Sequence, residues 1–455
     1  MSSTKNPLAA LAGASLEEKA DLIQSFYEDT IFHESGIMYS LMKIDGDEIR
    51  PFEPRDFVGI ESFDFKGWRV KPKGTWEQRN NENSITTSGI YLASQTYRHL
   101  ATGSEEAMTQ ALKAFHSLNL IYQLGEKDGR PGWMGKPYGF KLSDQTSGDQ
   151  YLDATWGLFT FLEIAPDNEL KRAKVMLVGF ADYWRKIDYC IMYVSVVWNN
   201  KFEEHSYNAI FMLINLVAYH LTGDPTYKAE SDRFQGISRW KTETGVGGWK
   251  RKILQGERDE WRFNKLVEGH LGPKEFLCWQ MTIHCKFTAV AAEIIHKLYP
   301  EVVSDTELVT TLERWWSTWH YGMDDDLLPY YFFIVDIEKD TWRPAPTTPK
   351  LPRDKWLMGK ASLSYTSKKR WTEPLCRFLV TSVITAEYSK ELNTPSIDLA
   401  KRIMESVDEI RIKWQHDPDG KQIYPGNADL KSVLSSEMPA SYLAAFWRGR
   451  KQGYW

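Results

Sequence analysis

Cysteine, net charge and long apolar runs are all scarce in this sequence. The 455 residues include four cysteines with no C-x-x-C spacing, so we expect reduced, buried thiols. The 56 basic and 61 acidic residues nearly cancel, and the net charge of -5 argues against a nucleic-acid-binding surface. The longest apolar run, near residues 209–218, is shorter than the roughly 20 residues of a membrane-spanning helix. We therefore expect a cytoplasmic protein with no nucleic-acid partner and no membrane partner.

Short catalytic and cofactor motifs are absent as well. The sequence has no P-loop, no H-E-x-x-H and no G-x-S-x-G, and no G-x-G-x-x-G follows a strand. We therefore predict no cofactor and no metal site. The acidic segment Asp324–Asp326 is the one alternative left open, because calcium and similar hard cations prefer carboxylate ligands.

Aromatic residues are abundant, with 19 Trp, 22 Tyr and 21 Phe. Most are expected to fill a large core, because aromatic side chains bury much area. Tryptophans that lie beside polar residues, such as Trp198 and Trp371, instead suggest platforms on which a flat, hydroxylated ligand could stack.

A pattern of paired helices recurs from residue 81 onward. A polar segment precedes an apolar helix, a short Gly or Pro turn follows, and a more amphipathic helix returns. An apolar helix such as residues 209–219 must be buried on most sides, whereas the charged helix of residues 169–186 belongs outside. Because closure into a ring buries every inner helix, we predict an all-α fold, a toroid of six helical hairpins.

The segment before the repeats differs from them. Residues 16–34 predict a helix that Ser15 and Glu18 cap, and residues 36–75 alternate around an Asp-Gly turn, which indicates short strands. We therefore predict two parts. Residues 1–75 form an N-terminal helix and an extended β arm that packs on the toroid, and residues 76–455 form the catalytic toroid.

Residues 76–450 resemble the six-hairpin, (α/α)6-toroid glycosidase superfamily, which includes unsaturated glucuronyl hydrolases and related toroid lyases and epimerases. The resemblance lies in the helical pairing and in segments such as SDQTSGDQYLDATWGLF and AYHLTGDPTY. It implies a carbohydrate-active enzyme whose cleft lies at the N-terminal ends of the inner helices.

Several polar residues precede or begin each predicted inner helix, the fourth of which is expected to span residues 273–297. Capping alone explains one such residue per helix, but not several. The residues that we expect to bind substrate are Arg79, Glu82, Asn83, Gln150, Trp198, His270, Lys274, Arg370, Trp371, Glu373 and Glu437.

Glycoside hydrolysis requires two carboxyl groups that flank one bond, and Asp149 and Glu204 begin neighbouring inner helices. They are our predicted catalytic pair. The predicted substrate is a small saccharide, and one that contains a uronic acid is among the candidates. Glu82 and Glu373 are substitutes for either carboxylate. The sequence leaves a retaining and an inverting course open.

A second mechanism uses His205 as base and Tyr207 as acid, and would give a lyase, epimerase or dehydratase/isomerase on the same toroid. Arg79, Lys274 and Arg370 could then neutralise a substrate carboxylate. A binding protein without catalysis is a third alternative, and a homo-oligomer stays open.

Overall fold

The helices and strands below come from a computed structural model, which describes residues 6–58, 65, 68–193, 196–199, 205–237, 267–279, 282–321, 323, 327, 332–336, 338–339, 341–346, 348, 356–358, 363–365, 372–409, 411–412 and 433–455. Numbered in chain order, the helices are α1 Leu16–Thr30, α2 Thr75–Asn81, α3 Ser84–Thr102, α4 Glu105–Lys127, α5 Gly148–Phe161, α6 Asp167–Lys186, α7 His205–Thr222, α8 Pro225–Ile237, α9 Thr282–Leu298, α10 Asp305–Tyr321, α11 Thr372–Tyr388, α12 Asn393–Ser406 and α13 Glu437–Lys451. The strands are β1 Leu41–Asp45, β2 Glu48–Arg50, β3 Cys190–Tyr193, β4 Val196–Asn199, β5 Glu275–Trp279, β6 Phe332–Asp336, β7 Thr341–Pro344, β8 Trp356–Met358, β9 Leu363–Tyr365 and β10 Val433–Ser435.

Six of these helices form a closed inner ring. Helix α3 packs against α5, α5 against α7, α7 against α9, α9 against α11 and α11 against α13, and α13 returns to α3. Each inner helix also packs against an outer one, in the pairs α3–α4, α5–α6, α7–α8, α9–α10, α11–α12 and α13–α1. The predicted toroid of six hairpins is confirmed. Because α1 forms the sixth pair with α13, helices from the two ends of the chain lie together in one hairpin. The domain boundary at residue 75 stays a prediction.

The composition of each helix accounts for its layer. In α7, Ala209–Ala218 is buried throughout, and Asn215 is the polar residue within that run. In α6 the buried residues recur every three or four positions, from Ala173 through Leu177 to Trp184, while Val175 on the opposite face is 51% exposed. The all-round apolar helix is therefore inside, and the one-sided helix is outside. None of the helices in the described ranges is both long enough and apolar enough to cross a membrane.

Two glycines let α3 and α5 approach each other closely. A Cβ atom at Gly89 would lie 2.2 Å from the carbonyl oxygen of Asp153, and one at Gly157 would lie 2.3 Å from the carbonyl oxygen of Gly89. Any larger residue would push the two helices apart, so these glycines determine how closely α5 packs against α3.

The predicted β arm is present and anchors the start of α13. Strand β1 lies between β2 and β10, with Leu41 opposite Ser435, and Gly46 turns between β1 and β2 at a φ of +62°. Ser436, which follows the last residue of β10, donates from Oγ to the carbonyl oxygen of Ser40 at 2.6 Å. The arm therefore positions the first turn of the last inner helix.

The prediction for the start of the fourth inner helix is wrong. Helix α9 begins at Thr282, and Glu275–Trp279, which we expected to be helical, is strand β5. Strand β5 pairs with β6, and β6 pairs with β7. The segment EFLCW is rich in aromatic residues, which suit a strand, and its partner lies more than fifty residues away in the sequence.

At the C-terminal ends of the inner helices, one arginine joins three of them. Arg448 of α13 donates to Glu293 of α9 at 2.6 and 2.9 Å and to Glu387 of α11 at 2.9 Å. Lys297 also pairs with Glu293, at 2.6 Å. The Arg448 side chain is only 4% exposed, so these charges compensate one another away from water.

Replacement of Arg448 by methionine should destabilise the fold by about 3–5 kcal/mol, because two buried carboxylates lose their shared cation. The measurement is the free energy of unfolding in urea. The control is Arg450→Met on the same helix, since Arg450 pairs with Glu17 at the surface with side chains 38% and 51% exposed. That change should cost about 0–1 kcal/mol. Equal losses in the two variants would contradict the role assigned to Arg448.

Candidate active site

Direct contacts bring the starts of the inner helices together. Gln150 of α5 donates from Nε2 to the carbonyl oxygen of Glu82, just before α3, at 3.0 Å. The hydroxyl groups of Thr87 in α3 and Ser436 before α13 are 2.8 Å apart. The polar residues at the starts of these three helices therefore share one region.

The start of α7 also meets the start of α5. A Cβ atom at Gly148 would lie 2.8 Å from two ring carbons of Tyr207. Only glycine permits this approach, so the aromatic ring lies directly beside the residue that precedes Asp149. The structure thus brings together two of the four residues that we predicted to be catalytic.

A buried ion cluster joins four inner helices just inside these starts. Lys286 of α9 lies 2.8 Å from Asp153 of α5 and 3.5 Å from Glu437 of α13. Arg377 of α11 donates to Glu437 through Nε at 2.7 Å and through Nη2 at 3.0 Å. All four side chains are at least nine-tenths buried. We call Asp153, Lys286, Arg377 and Glu437 the inner ion cluster.

The two acids of this cluster titrate differently. Burial raises the pKa of Asp153 to about 6 against the opposing charge of Lys286, and the nearby charge of Glu437 raises it further. Burial acts in the same direction on Glu437, but Arg377 and Lys286 outweigh it and lower the pKa of Glu437 to about 2. Glu437 is therefore firmly ionised at neutral pH, whereas Asp153 can take up a proton under mildly acidic conditions.

Asp149 differs from both acids because none of the described cations is its hydrogen-bond partner. It lies one helical turn before Asp153, so the two side chains project from the same face of α5. The residue is half-buried. Its Oδ1 atom is buried and makes no hydrogen bond within the described part of the chain. This oxygen could therefore accept a hydrogen bond from a ligand.

Glu82, a predicted substitute for the catalytic acids, has a different environment. Its carboxylate accepts from Lys136 at 2.5 Å and from Tyr138 at 2.6 Å. Burial raises the pKa of Glu82. The charges of Lys136 and Arg79 and these hydrogen bonds lower it by more, so the net shift of the pKa is downward. Glu82 therefore holds the loop at residues 136–138, which argues against a role in proton transfer.

Capping does not account for the polar residues at the inner starts. Asn83 and Ser436 occupy the N-cap positions of α3 and α13, and Ser147 occupies that of α5, yet none of the three makes a side-chain cap hydrogen bond. The outer helices α1 and α4 do have such caps, from Ser15 and Ser104. Helix capping is thus a weaker explanation for these residues than the sequence suggested.

Two predicted substrate-binding residues lie elsewhere. His270 and Lys274 were placed at the start of an inner helix, but they are exposed residues of the turn that precedes β5. Lys274 lies 3.9 Å from Glu338, and the carbonyl oxygen of His270 accepts from Arg343. This placement is a correction, and its cause is the strand that replaces the first part of the predicted helix.

Other predicted residues lie wholly or partly outside the described part of the chain. Glu204, Arg370, Trp371 and the acidic segment Asp324–Asp326 are not described. The backbones of Trp198, His205 and Glu373 lie in β4, α7 and α11, but their side chains are not described. The roles of these residues stay predictions. Among the residues that are described, no three His, Cys, Asp or Glu side chains are grouped so that they could hold a metal ion.

Three members of the inner ion cluster were missed from sequence. Asp153 follows Asp149 by four residues, a spacing that places both on one helix face and could have identified it. Lys286 is a lone cation in an apolar stretch, CKFTAVAA, which is the sequence signal of a buried charge that must have a partner. Arg377 has no comparable signal, because its neighbours do not distinguish it from a surface arginine.

Two solved structures are similar to the chain over nearly its whole length. A D-mannose isomerase matches with a TM-score of 0.53 and 11% identity, covering 97% of this chain and 98% of its own. An unsaturated glucuronyl hydrolase specific for heparin matches with a TM-score of 0.51 and 10% identity, covering 95% of each chain. No protein-family model and no curated protein sequence matches the chain. At this identity the likeness establishes the (α/α)6-toroid fold.

The inner ion cluster predicts a pH-dependent effect for Glu437→Gln. At pH 7 the variant should lose about 3–5 kcal/mol, because Arg377 and Lys286 lose a buried carboxylate. The pKa of Glu437 falls from an ordinary 4.5 to about 2 on folding. Its stabilisation is therefore complete above pH 4.5 and is lost as the pH falls towards 2.

The measurement is urea unfolding of both proteins at pH 7, 4.5 and 3, and the difference between them should shrink at the lowest pH. Glu105→Gln is the control, since Glu105 is an exposed glutamate in the first turn of the outer helix α4. A difference that is constant over this pH range would contradict the assignment.

Proposed function

We propose that this protein is a carbohydrate-active enzyme, a glycoside hydrolase in which Asp149 exchanges a proton with a small saccharide. The observation that carries the proposal is the position of Asp149. Its carboxylate lies where inner helix starts meet, and one oxygen is buried without a hydrogen-bond partner among the described residues. A ligand hydroxyl or a glycosidic oxygen could provide that partner.

The surroundings of Asp149 support a role in acid–base chemistry. The neighbouring charges are already balanced, since Lys286 and Arg377 compensate Asp153 and Glu437. Asp149 stands in the first turn of α5, and its neighbour Gln150 is held by the carbonyl oxygen of Glu82 at 3.0 Å. A half-buried carboxylate in such a fixed polar setting is suited to proton transfer with a bound substrate.

Hydrolysis of a glycoside needs a second carboxyl group on the other side of the bond. Glu204 is our proposal for this group, because it directly precedes α7 in the sequence and Tyr207 of α7 contacts Gly148. The two similar structures support the substrate class, since one is named as an isomerase of D-mannose and the other as an unsaturated glucuronyl hydrolase.

The test is the pair of variants Asp149→Asn and Glu204→Gln, assayed separately on a panel of nitrophenyl glycosides and short oligosaccharides. Each should lower kcat by about 10²–10⁴-fold, the usual contribution of a general acid or base. Asp167→Asn is the matched control, because Asp167 is an exposed first-turn aspartate of the outer helix α6. Full turnover by both variants, on a substrate that the wild type cleaves, would show that the carboxylate pair is wrong.

A second candidate function is isomerisation, epimerisation or elimination on the same scaffold. The observation that favours it is the contact between the Tyr207 ring and Gly148, the residue that precedes Asp149. A tyrosine acid and a nearby base, His205 or Asp149, could move a proton on a carbon next to a carbonyl or carboxylate group.

Tyr207→Phe separates the two candidates. In an isomerase or lyase, loss of the phenol should lower kcat by about 10²-fold or more, whereas a carboxylate-driven hydrolase should keep most of its turnover. The readouts are interconversion of aldoses, absorbance of an unsaturated product, and release of nitrophenol. Tyr219→Phe is the control, since Tyr219 is a half-buried tyrosine of the same helix that stacks on Tyr299. Equal effects of the two substitutions on every reaction would remove Tyr207 from the mechanism.

A further inference from the structure

Two amide side chains near the starts of α5 and α7 lack the hydrogen bonds that burial normally requires. Asn208 is fully buried, and neither its Nδ2 nor its Oδ1 atom has a partner in the described part of the chain. The Oε1 atom of Gln150, which is also fully buried, has none either. Buried polar groups are almost always paired, and an unpaired one destabilises the fold. Such groups suggest a partner that arrives with a ligand.

Their positions tie these amides to the proposed active site. Gln150 follows Asp149 directly, and its Nε2 atom is held by the carbonyl oxygen of Glu82. Asn208 follows Tyr207, whose ring lies against Gly148. The two amides therefore come from neighbouring inner helices on either side of the contact between α5 and α7.

The charges in this region do not favour a substrate carboxylate. Lys136 is paired with Glu82, while Lys286 and Arg377 are paired within the inner ion cluster. A uronate that paired with one of these three described cations would have to break a buried pair, and near Asp149 it would also meet a like charge. An amide, in contrast, both donates and accepts, as a sugar hydroxyl does.

We propose that Asn208 and Gln150 form a subsite for the hydroxyl groups of a neutral sugar, so that the enzyme selects a neutral saccharide over the corresponding uronate. This inference rests on the proposed function and specifies its substrate class. It replaces the uronic acid that the sequence suggested.

The test compares matched ligands by calorimetry. The probes are D-mannose with D-mannuronate, D-glucose with D-glucuronate, and the methyl glycosides of each pair. We expect at least one neutral member to bind the wild type about tenfold or more tightly than its uronate. Tighter binding of the uronate, or binding of neither member in any pair, would overturn the proposal.

Asn208→Leu tests the subsite directly. Because the substitution removes an unpaired buried amide, the melting temperature should stay the same or rise, while the Kd for the neutral ligand should rise about tenfold or more. Asn208→Ala serves the same purpose if leucine is not accommodated. The control is Asn215→Leu on the same helix, since Asn215 donates to Tyr189 at 3.0 Å and to Phe211 at 2.8 Å. That variant should melt at a lower temperature and keep its affinity.

An unchanged Kd in both Asn208 variants would show that the amide does not contact the ligand. The same ligands are also titrated into Asp149→Asn. This titration distinguishes a failure of the proposed subsite from a failure of the proposed catalytic role. If this variant keeps both its preference for the neutral ligand and full turnover, the catalytic role of Asp149 is wrong and the subsite stands. If it loses turnover but the wild type prefers the uronate, the subsite is wrong and the catalytic role stands.

Discussion

Closure of the inner ring is the constraint on which the rest of this structure depends. Six helices must meet side by side with their first and last members in contact, and ionic groups join them at both ends. Near the starts, Lys286 lies between acids of α5 and α13, and at the opposite ends Arg448 joins α9, α11 and α13. Buried ion pairs add little net stability compared with apolar packing, but removing one partner is costly. They therefore penalise any arrangement in which these helices are not neighbours.

The same ionic groups shape the chemistry of the proposed site. Charges that are paired and buried are not free to bind a ligand, so the inner ion cluster contributes a fixed electrostatic background. Among the described residues at the starts of α5 and α7, Asp149, Gln150 and Asn208 each have a buried polar atom without a hydrogen-bond partner. A site with one reactive carboxylate and neutral hydrogen-bonding groups can orient a polyol and exchange a proton with it. The structural role of the cluster and the functional role of its neighbours are thus two results of one arrangement.

The sequence was informative where the signal is local and periodic. Paired apolar and amphipathic helices follow from the spacing of hydrophobic residues, and the β arm follows from alternation around Asp45 and Gly46. Strand β5 was missed because its partner β6 is distant in the chain, and a window of five residues carries no information about that pairing. His270 and Lys274 were misplaced for the same reason, since their predicted position depended on a helix beginning near Pro273.

The site was predicted in part, and the division between success and failure is physical. Asp149, Tyr207 and Glu437 were selected because they stand in the first turns of helices, where polar residues are conspicuous. Glu437 was selected as a substrate-binding residue, whereas its carboxylate is paired with Arg377 and Lys286. Asp153, Lys286 and Arg377 lie about one turn deeper, within segments whose pattern indicates core. A buried charge is stable there only because its partner arrives from another helix, and that partner is a property of the closed ring and not of the local sequence.

The toroid does not by itself determine the reaction. The two similar structures carry names that describe different chemistry, isomerisation of D-mannose in one and hydrolysis of an unsaturated glucuronyl group in the other. Since a shared scaffold can support both, the reaction must depend on the few side chains that project from the helix starts. In this protein the contact between Gly148 and Tyr207 places an aromatic ring against the residue that precedes Asp149. A larger residue at position 148 would displace that ring, and in the proposed function the ring is the group that would add proton transfer at carbon to hydrolysis.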